Sequence, residues 1–243
     1  MKELYRFVFS MLVQVKSLFG YPTNTLLNSD INYNEYWKTK RGDKLGALSE
    51  FQRKRADKVI PFLLDGDTVL DVGCGDGAIL DYILKHVNIK AIGVDKSLES
   101  LNHVKSRGIE TIHCDLAEAG ALEKIPAVDY VLALEILEHM PAPELFLDAL
   151  DSKVRKGFIV SFPNTGYWMH RFRLLFGRFP MQWRVHPGEH LRFWTIRDTK
   201  WWFKAMNRNI ESLIAYEGVP YFNKLWPSMF AMGLVIKFCP RKL

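Results

Sequence analysis

The chain has 243 residues, 48% hydrophobic and 25% charged, enough for one substantial core and unlike the composition of a disordered chain. Its three cysteines, Cys74, Cys114 and Cys239, are scattered and form no CxxC pair, which argues against a disulfide framework or a structural zinc site and fits thiols in a reducing cytoplasm. The net charge of +6 divides into +3 over residues 1–45, −9 over 46–152 and +12 over 153–243, so the last third either meets something anionic (a phosphorylated or carboxylated substrate, a membrane surface, an acidic protein, a nucleic acid) or carries solvated Lys/Arg faces.

Residues 1–20 place polar side chains at Glu3, Arg6, Ser10, Gln14 and Ser17 with apolar ones between them, the spacing of a helix with a narrow polar stripe. Its uncharged runs fall short of the ~18 residues that a membrane span needs. Gln14 and Lys16 interrupt the apolar stretch and no small-x-small site follows, so a signal peptide fits poorly. Three uses remain: a lid on the domain, a dimer contact, or a peripheral membrane contact. Residues 21–45 read as irregular and complete an N-terminal helical extension over 1–45.

A helical pattern runs from Gly46 to Ile60 and meets Pro61. Beyond it, strands are predicted over 68–72, 89–94, 110–113, 128–134 and 157–162, with helices over 78–86, 98–107 and 144–150 between them. Ser97 is a plausible N-cap and Gly108 a stop for the second of these helices. Such alternation predicts βαβ units in an α/β, Rossmann-like, doubly wound sheet occupying residues 46–243. A helix over 195–206 precedes two strands near 210–216 and 230–238, which can pair antiparallel at the sheet edge. Residues 163–194 are aromatic, basic and without clear period; a long stretch of that kind in a compact domain is usually functional, here an acceptor-site or lid insertion.

The first strand runs straight into Asp71-Val-Gly73-Cys74-Gly75-Asp-Gly77, and a helix follows. A G-x-G turn there lets the backbone turn tightly and approach a ligand closely. The third glycine falls two residues after the second, not three, so the dinucleotide fingerprint is not met; no Gly-Lys-Ser/Thr follows, so neither is the Walker loop. Asp95 ends the second strand, Asp115 follows the third and Glu135 closes the fourth. All stand at carboxyl ends of strands, where open α/β sheets bind ligands. A carboxylate at Asp95 can accept both ribose hydroxyls of an adenosine, and Asp115 can accept from the adenine amine.

Together these residues resemble the class I methyltransferases. Val69–Gly77 is similar to that family's first motif, Asp95 to its ribose-binding acid, and Cys114-Asp115-Leu116 to its adenine-binding turn. The resemblance implies a seven-stranded sheet and S-adenosyl-L-methionine as cofactor, held by Asp71, Gly73, Cys74, Gly75, Gly77, Asp95, Lys96, Asp115, Leu116 and Glu135. Gly157-Phe-Ile-Val-Ser-Phe-Pro-Asn164, Tyr167-Trp168 and His190-Leu-Arg-Phe-Trp-Thr-Ile-Arg-Asp198 resemble the methionine-biosynthesis MetW family of methyltransferase-like proteins.

A sulfonium methyl is already activated, so the protein mainly has to align a nucleophile with it, with a general base as an aid. His139, His170, His186 and His190 are the histidines available near the expected pocket. His190 is favoured, with His139 second, because His190, Trp194 and Thr195 form a His-x-x-x-Phe/Trp-Thr pattern similar to acceptor segments of small-molecule methyltransferases. Trp168, Phe172, Phe176, Phe179 and Trp183 would supply apolar walls, and Arg171, Arg173, Arg178 and Arg184 anion contacts. Nucleic acid is disfavoured as a partner, since Leu-Glu-Ile-Leu-Glu-His follows the fourth strand in place of Asn/Asp-Pro-Pro-Tyr/Phe, and no Pro-Cys nucleophile occurs. Two expectations follow: a methyltransferase for a small or lipid-linked, anionic acceptor, or a MetW-like regulatory partner of a biosynthetic enzyme. Neither calls for a metal.

Overall fold

A computed structural model describes Leu18, Gly20, Tyr21 and residues 45–241 except 117, 119 and 183–185. The expected amphipathic helix, most of the irregular stretch, and the side chains of Trp183 and Arg184 lie outside the described residues.

Helix α1 (Glu50–Val59) opens the domain, with a capping box in which the Ser49 hydroxyl accepts from the Gln52 amide and the Gln52 side chain accepts from the Ser49 amide. The helix therefore starts four residues later than its apolar pattern suggests, because Ser49 satisfies backbone donors more cheaply at the end than inside. Ser49→Ala is expected to lower stability by about 1 kcal/mol in thermal unfolding, with little effect on the glycine loop.

The strands are β1 (Thr68–Val72), β2 (Lys90–Asp95), β3 (Glu110–His113), β4 (Val128–Leu134), β5 (Val154–Pro163), β6 (Ile210–Gly218) and β7 (Ala231–Phe238). They form one sheet in the order β3-β2-β1-β4-β5-β7-β6. β1 to β5 pair in parallel, and β7 runs antiparallel between β5 and β6. The strand order reverses between β1 and β4, which opens a crevice between their carboxyl ends.

Helices cover both faces. On one, α1, α2 (Ala78–Leu84) and α3 (Leu98–Ser106) bury Ala56, Val59, Leu80, Ile83, Leu101 and Val104. On the other, α4 (Pro143–Leu150) and α6 (Ile196–Ala205) bury Phe146, Leu147, Leu150, Trp202 and Phe203 against Phe158 and Phe238. Ser97 caps α3, with its hydroxyl accepting from the Ser100 amide, and Gly108 follows it in the left-handed region.

Helix α5 (Trp168–Leu175) lies in the stretch expected to be irregular. Its buried face is built on Met169 and Arg173, while Phe172, Leu174 and Leu175 face outward, so its apolar residues do not mark the buried side. Two further short helices, α7 (Phe222–Leu225) and α8 (Pro227–Phe230), separate β6 from β7.

Part of the charge asymmetry along the chain is answered in space. Arg208, with its side chain fully buried, donates to both oxygens of Asp151 and to Asp148, and Arg241 joins the same pair. Arg155 meets Asp129, and Lys156 meets Asp67. These four cations of the last third thus neutralise acids of the middle third, because the two segments fill neighbouring halves of one sheet that meet where β4 pairs with β5.

Candidate functional site

The loop after β1 turns through three left-handed glycines, Gly73 at φ 70°, Gly75 at 55° and Gly77 at 71°. A side chain at Gly73 would bring its Cβ within 2.5 Å of Ile136 Cδ1, and one at Gly77 within 2.8 Å of Val104 Cγ2. Backbone freedom and close packing both require glycine at these two places.

Four of the loop's amides are satisfied by the protein, three of them by β2. Gly73 and Cys74 donate to the Val94 carbonyl at 2.8 and 3.0 Å, Gly77 donates to the Cys74 carbonyl, and Gly75 donates to Asp95 Oδ2 at 2.9 Å. A phosphate cradle needs several amides aimed at the ligand. This loop is a preformed turn braced on β2, which suits a ligand carrying positive charge better than a pyrophosphate.

Asp95 is buried and accepts from Gly75 and, through Oδ1, from the Ser97 amide at 2.8 Å. Burial raises its carboxyl above the ordinary range, while the Ser97 and Gly75 amides pull the other way. Asp71, at the end of β1, is buried beside it; burial first, then Asp95, push its carboxyl up to about 8 against a smaller pull from Arg55. Two buried acids side by side disfavour each other's ionisation, and burial outweighs the pull of Arg55 on one and of Lys96 on the other.

Lys96 and Asp115 sit 3.8 Å apart at the mouth, and Leu116 packs on the core beneath them. Cys74 contributes backbone only: its Sγ lies where a Cβ on Gly93 would come within 2.8 Å, and burial, then Asp71 and Asp95, hold the thiol well above its usual range. Asp71, Gly73, Cys74, Gly75, Gly77, Asp95, Lys96, Asp115 and Leu116 are therefore gathered along the carboxyl ends of β1, β2 and β3.

Glu135 ends β4 with a left-handed φ of 59°, a strained setting for a non-glycine residue. Its Oε1 accepts from Ser161 Oγ at 3.1 Å and lies 3.4 Å from Arg55 Nη2. Arg55 is buried on the inner face of α1 and also donates to Tyr216 Oη at 2.9 Å. Sequence reasoning missed Arg55; the signal was a cation in register with the buried Ala56 and Val59.

Of the four histidines, two come together: His139 and His190 face each other edge to face, ring centroids 4.7 Å apart. His139 stands in the tight turn Leu137–His139 after β4, and the Glu138 carbonyl of that turn accepts from the amides of Leu191 and Arg192 at 2.8 and 3.1 Å. That backbone clamp fixes His190 beside His139. The other two serve elsewhere. His186 accepts from the Gly188 amide within its own turn, and His170 sits on Tyr167, its imidazole pushed down to about 4 by burial and then by Arg173.

A cavity of about 190 Å³ opens on His190, with Phe179, Met181, Phe193 and Arg173 among its walls. Phe179 and His190 of the expected acceptor segment line it, but two of the expected anion contacts have structural duties. Arg173 donates to the carbonyls of Phe179, Leu18 and Gly20, and Arg171 to those of Gly166 and Ser228. Arg178 lies over the Tyr21 ring at 5.6 Å. Asn164, also missed as a site-building residue, is buried and ties the end of β5 to β7, donating to Ala231 O at 2.8 Å.

Over residues 53–237 the chain matches the family model described as methionine biosynthesis protein MetW. It is 34% identical over 99 residues to the ubiquinone biosynthesis O-methyltransferase of Colwellia psychrerythraea, which is 39% of this chain and 40% of that protein. The curated relatives it matches are spanned over only 26–44% of their own lengths. Among solved structures it superposes on a SAM-dependent methyltransferase from Archaeoglobus fulgidus with a TM-score of 0.58 at 18% identity, covering 86% of this chain and 99% of that one. It also superposes on magnesium protoporphyrin IX methyltransferase from Synechocystis PCC 6803, with bound SAH, at a TM-score of 0.56 and 16% identity, covering 99% and 100%. The sheet order and the antiparallel β5-β7-β6 edge are the Rossmann-like methyltransferase fold. With most of its length matched by that one model, the chain belongs to the MetW family.

Proposed function

We propose that this protein is an S-adenosylmethionine-dependent methyltransferase acting on a small or lipid-linked, anionic acceptor. The observation that carries it is the glycine turn braced on Asp95 at the switch point, with acids at the next strand ends in the order an adenosine requires. Asp95 takes the ribose hydroxyls, Asp115 and Leu116 flank the adenine, and Asp71 and Glu135 face the charged methionine end. His190 and His139 stand on the acceptor side, where they promote loss of the proton that leaves the nucleophile. The acceptor enters by residues 163–194.

Among acceptors, the lipid-linked class has support from the surface. Leu175, Phe176 and Phe179 after and within α5, and Tyr221, Leu225 and Trp226 around α7, are all more than half exposed. Arg171 joins the two segments by donating to Ser228 O. Exposed apolar side chains grouped on segments tied together in this way favour a membrane contact. Residues 1–20 would add to that contact, giving a cytoplasmic protein at the membrane surface. Among the described residues no helix is long and apolar enough to cross a membrane.

Calorimetry with S-adenosylhomocysteine should show one site per chain, and labelled S-adenosylmethionine should pass its methyl group into a lipid or small-molecule fraction of cell extract. Absence of cofactor binding would sink this reading. Binding without transfer, together with co-purification of an acyltransferase, would favour a MetW-like regulatory partner instead.

A further inference from the structure

We infer that Glu138, His139 and His190 form a binding site for one divalent metal ion at the acceptor end of the crevice. Each offers one ligand atom, and the three atoms all lie within 4.8 Å of one another. A metal at ~2.0–2.2 Å from tetrahedral ligands sets them about 3.3–3.6 Å apart, so the widest separation this bound allows would close by about 1 Å on binding.

The surroundings prepare the residues for that task. The Nδ1 of His139 contacts the Glu189 carbonyl, which can only accept, so Nδ1 carries the hydrogen and Nε2 presents its lone pair. A ring N–H held by a carbonyl is the usual outer support of a metal-ligating histidine. Glu189 is itself fixed, its carboxylate accepting from the His186 amide at 2.8 Å. The His190 segment is clamped to the Glu138 carbonyl by the Leu191 and Arg192 amides, so ligands 51 residues apart in sequence are held at one spacing. Glu138 is 1% exposed, whereas the two histidines are half-buried, which leaves the metal an open side toward the acceptor cavity.

Two imidazoles and one carboxylate suit zinc, manganese or iron(II) better than magnesium or calcium. Three protein ligands leave coordination positions for an acceptor oxygen. The site then deepens the methyl-transfer reading and rests on it. An acceptor hydroxyl held at the cation loses its proton to solvent, its oxygen forms the bond to the methyl carbon, and the carbon–sulfur bond breaks with its electron pair on sulfur. The products are the methyl ether, S-adenosylhomocysteine and one proton. The histidines act through the cation rather than as bases, which departs from the metal-free expectation of the sequence.

The test uses the full chain, stripped with chelator and titrated with zinc chloride and, separately, manganese chloride, with metal content read after dialysis. One equivalent per chain is expected, with affinity lowered at least tenfold in His190→Ala and in Glu138→Gln, and S-adenosylhomocysteine affinity of His190→Ala within about twofold of wild type. Cofactor binding also reports folding: should Glu138→Gln misfold, half-buried His190 decides the outcome. Failure of both metals to bind the wild-type chain, or equal binding by a folded His190→Ala variant, would overturn the metal site and leave methyl transfer standing. Loss of cofactor binding in the wild-type chain would instead remove the methyl-transfer reading, whatever the metal does.

Discussion

Asp95→Ala is expected to weaken S-adenosylhomocysteine binding by about 1–3 kcal/mol and to destabilise the fold as well. Two losses combine. The first is the set of charge-assisted hydrogen bonds that the carboxylate would make to the ribose hydroxyls. The second is structural: without the carboxylate, the buried Gly75 and Ser97 amides lose their acceptors, each at a cost of about 1–3 kcal/mol unless water replaces it. Because Gly75 is the middle of the turn, its release loosens the surface on which the cofactor lies. Calorimetry with the cofactor product and urea unfolding separate the two losses. Asp95→Asn keeps one acceptor oxygen but turns an amide N–H toward a backbone N–H, so it should fall between wild type and the alanine variant on both measures. An unchanged cofactor affinity in Asp95→Ala would take Asp95 out of the site.

How far the chain could be read in advance depended on how local each feature is. The strand Thr68–Val72, the Ser97 cap and the glycine turn are decided by neighbours within a few residues, and the structure has them where the pattern puts them. The acids at strand ends were legible for the same reason, since each follows its own strand. Helix α5 was not, because Arg173 is buried by donating to carbonyls of distant segments while Phe172 and Leu175 face out. The pairing of His139 with His190 depends on the Glu138 carbonyl, a backbone atom that no side-chain pattern reports. Arg55 illustrates the same limit: a cation on a helix face reads as solvated until Glu135 and Tyr216 meet it from two other elements. The charge asymmetry shows a further limit. A block of +12 over 153–243 reads as a surface for an anion or as solvated faces, and the pattern does not report that Arg155, Lys156, Arg208 and Arg241 answer acids of the preceding block.

Asp71 gives the second large effect, a pH dependence carried by one buried proton. An acid whose folded pKa exceeds its unfolded one holds its proton in the folded state between the two values, so stability falls as pH rises through that window. For Asp71 the window runs from the ordinary carboxylate value near ~4 in the unfolded chain to about 8 in the folded one, raised first by burial and then by Asp95. Within it, the folding equilibrium should lose up to about tenfold per pH unit to this group. Asp71→Asn keeps the shape and removes the titration, so wild type should lose ground to the variant steadily between about pH 5 and 8 in urea unfolding. A cofactor bearing a sulfonium and an ammonium supplies the missing counter-charge and favours the carboxylate. Binding of S-adenosylmethionine near neutral pH should therefore release a proton, seen as a binding enthalpy that differs between phosphate and Tris buffers in wild type and not in Asp71→Asn. Parallel pH slopes for the two proteins, with no buffer dependence in either, would show that Asp71 is already ionised in the folded crevice. Arg55, which already pulls its carboxyl down, would then be its counter-ion in place of the cofactor.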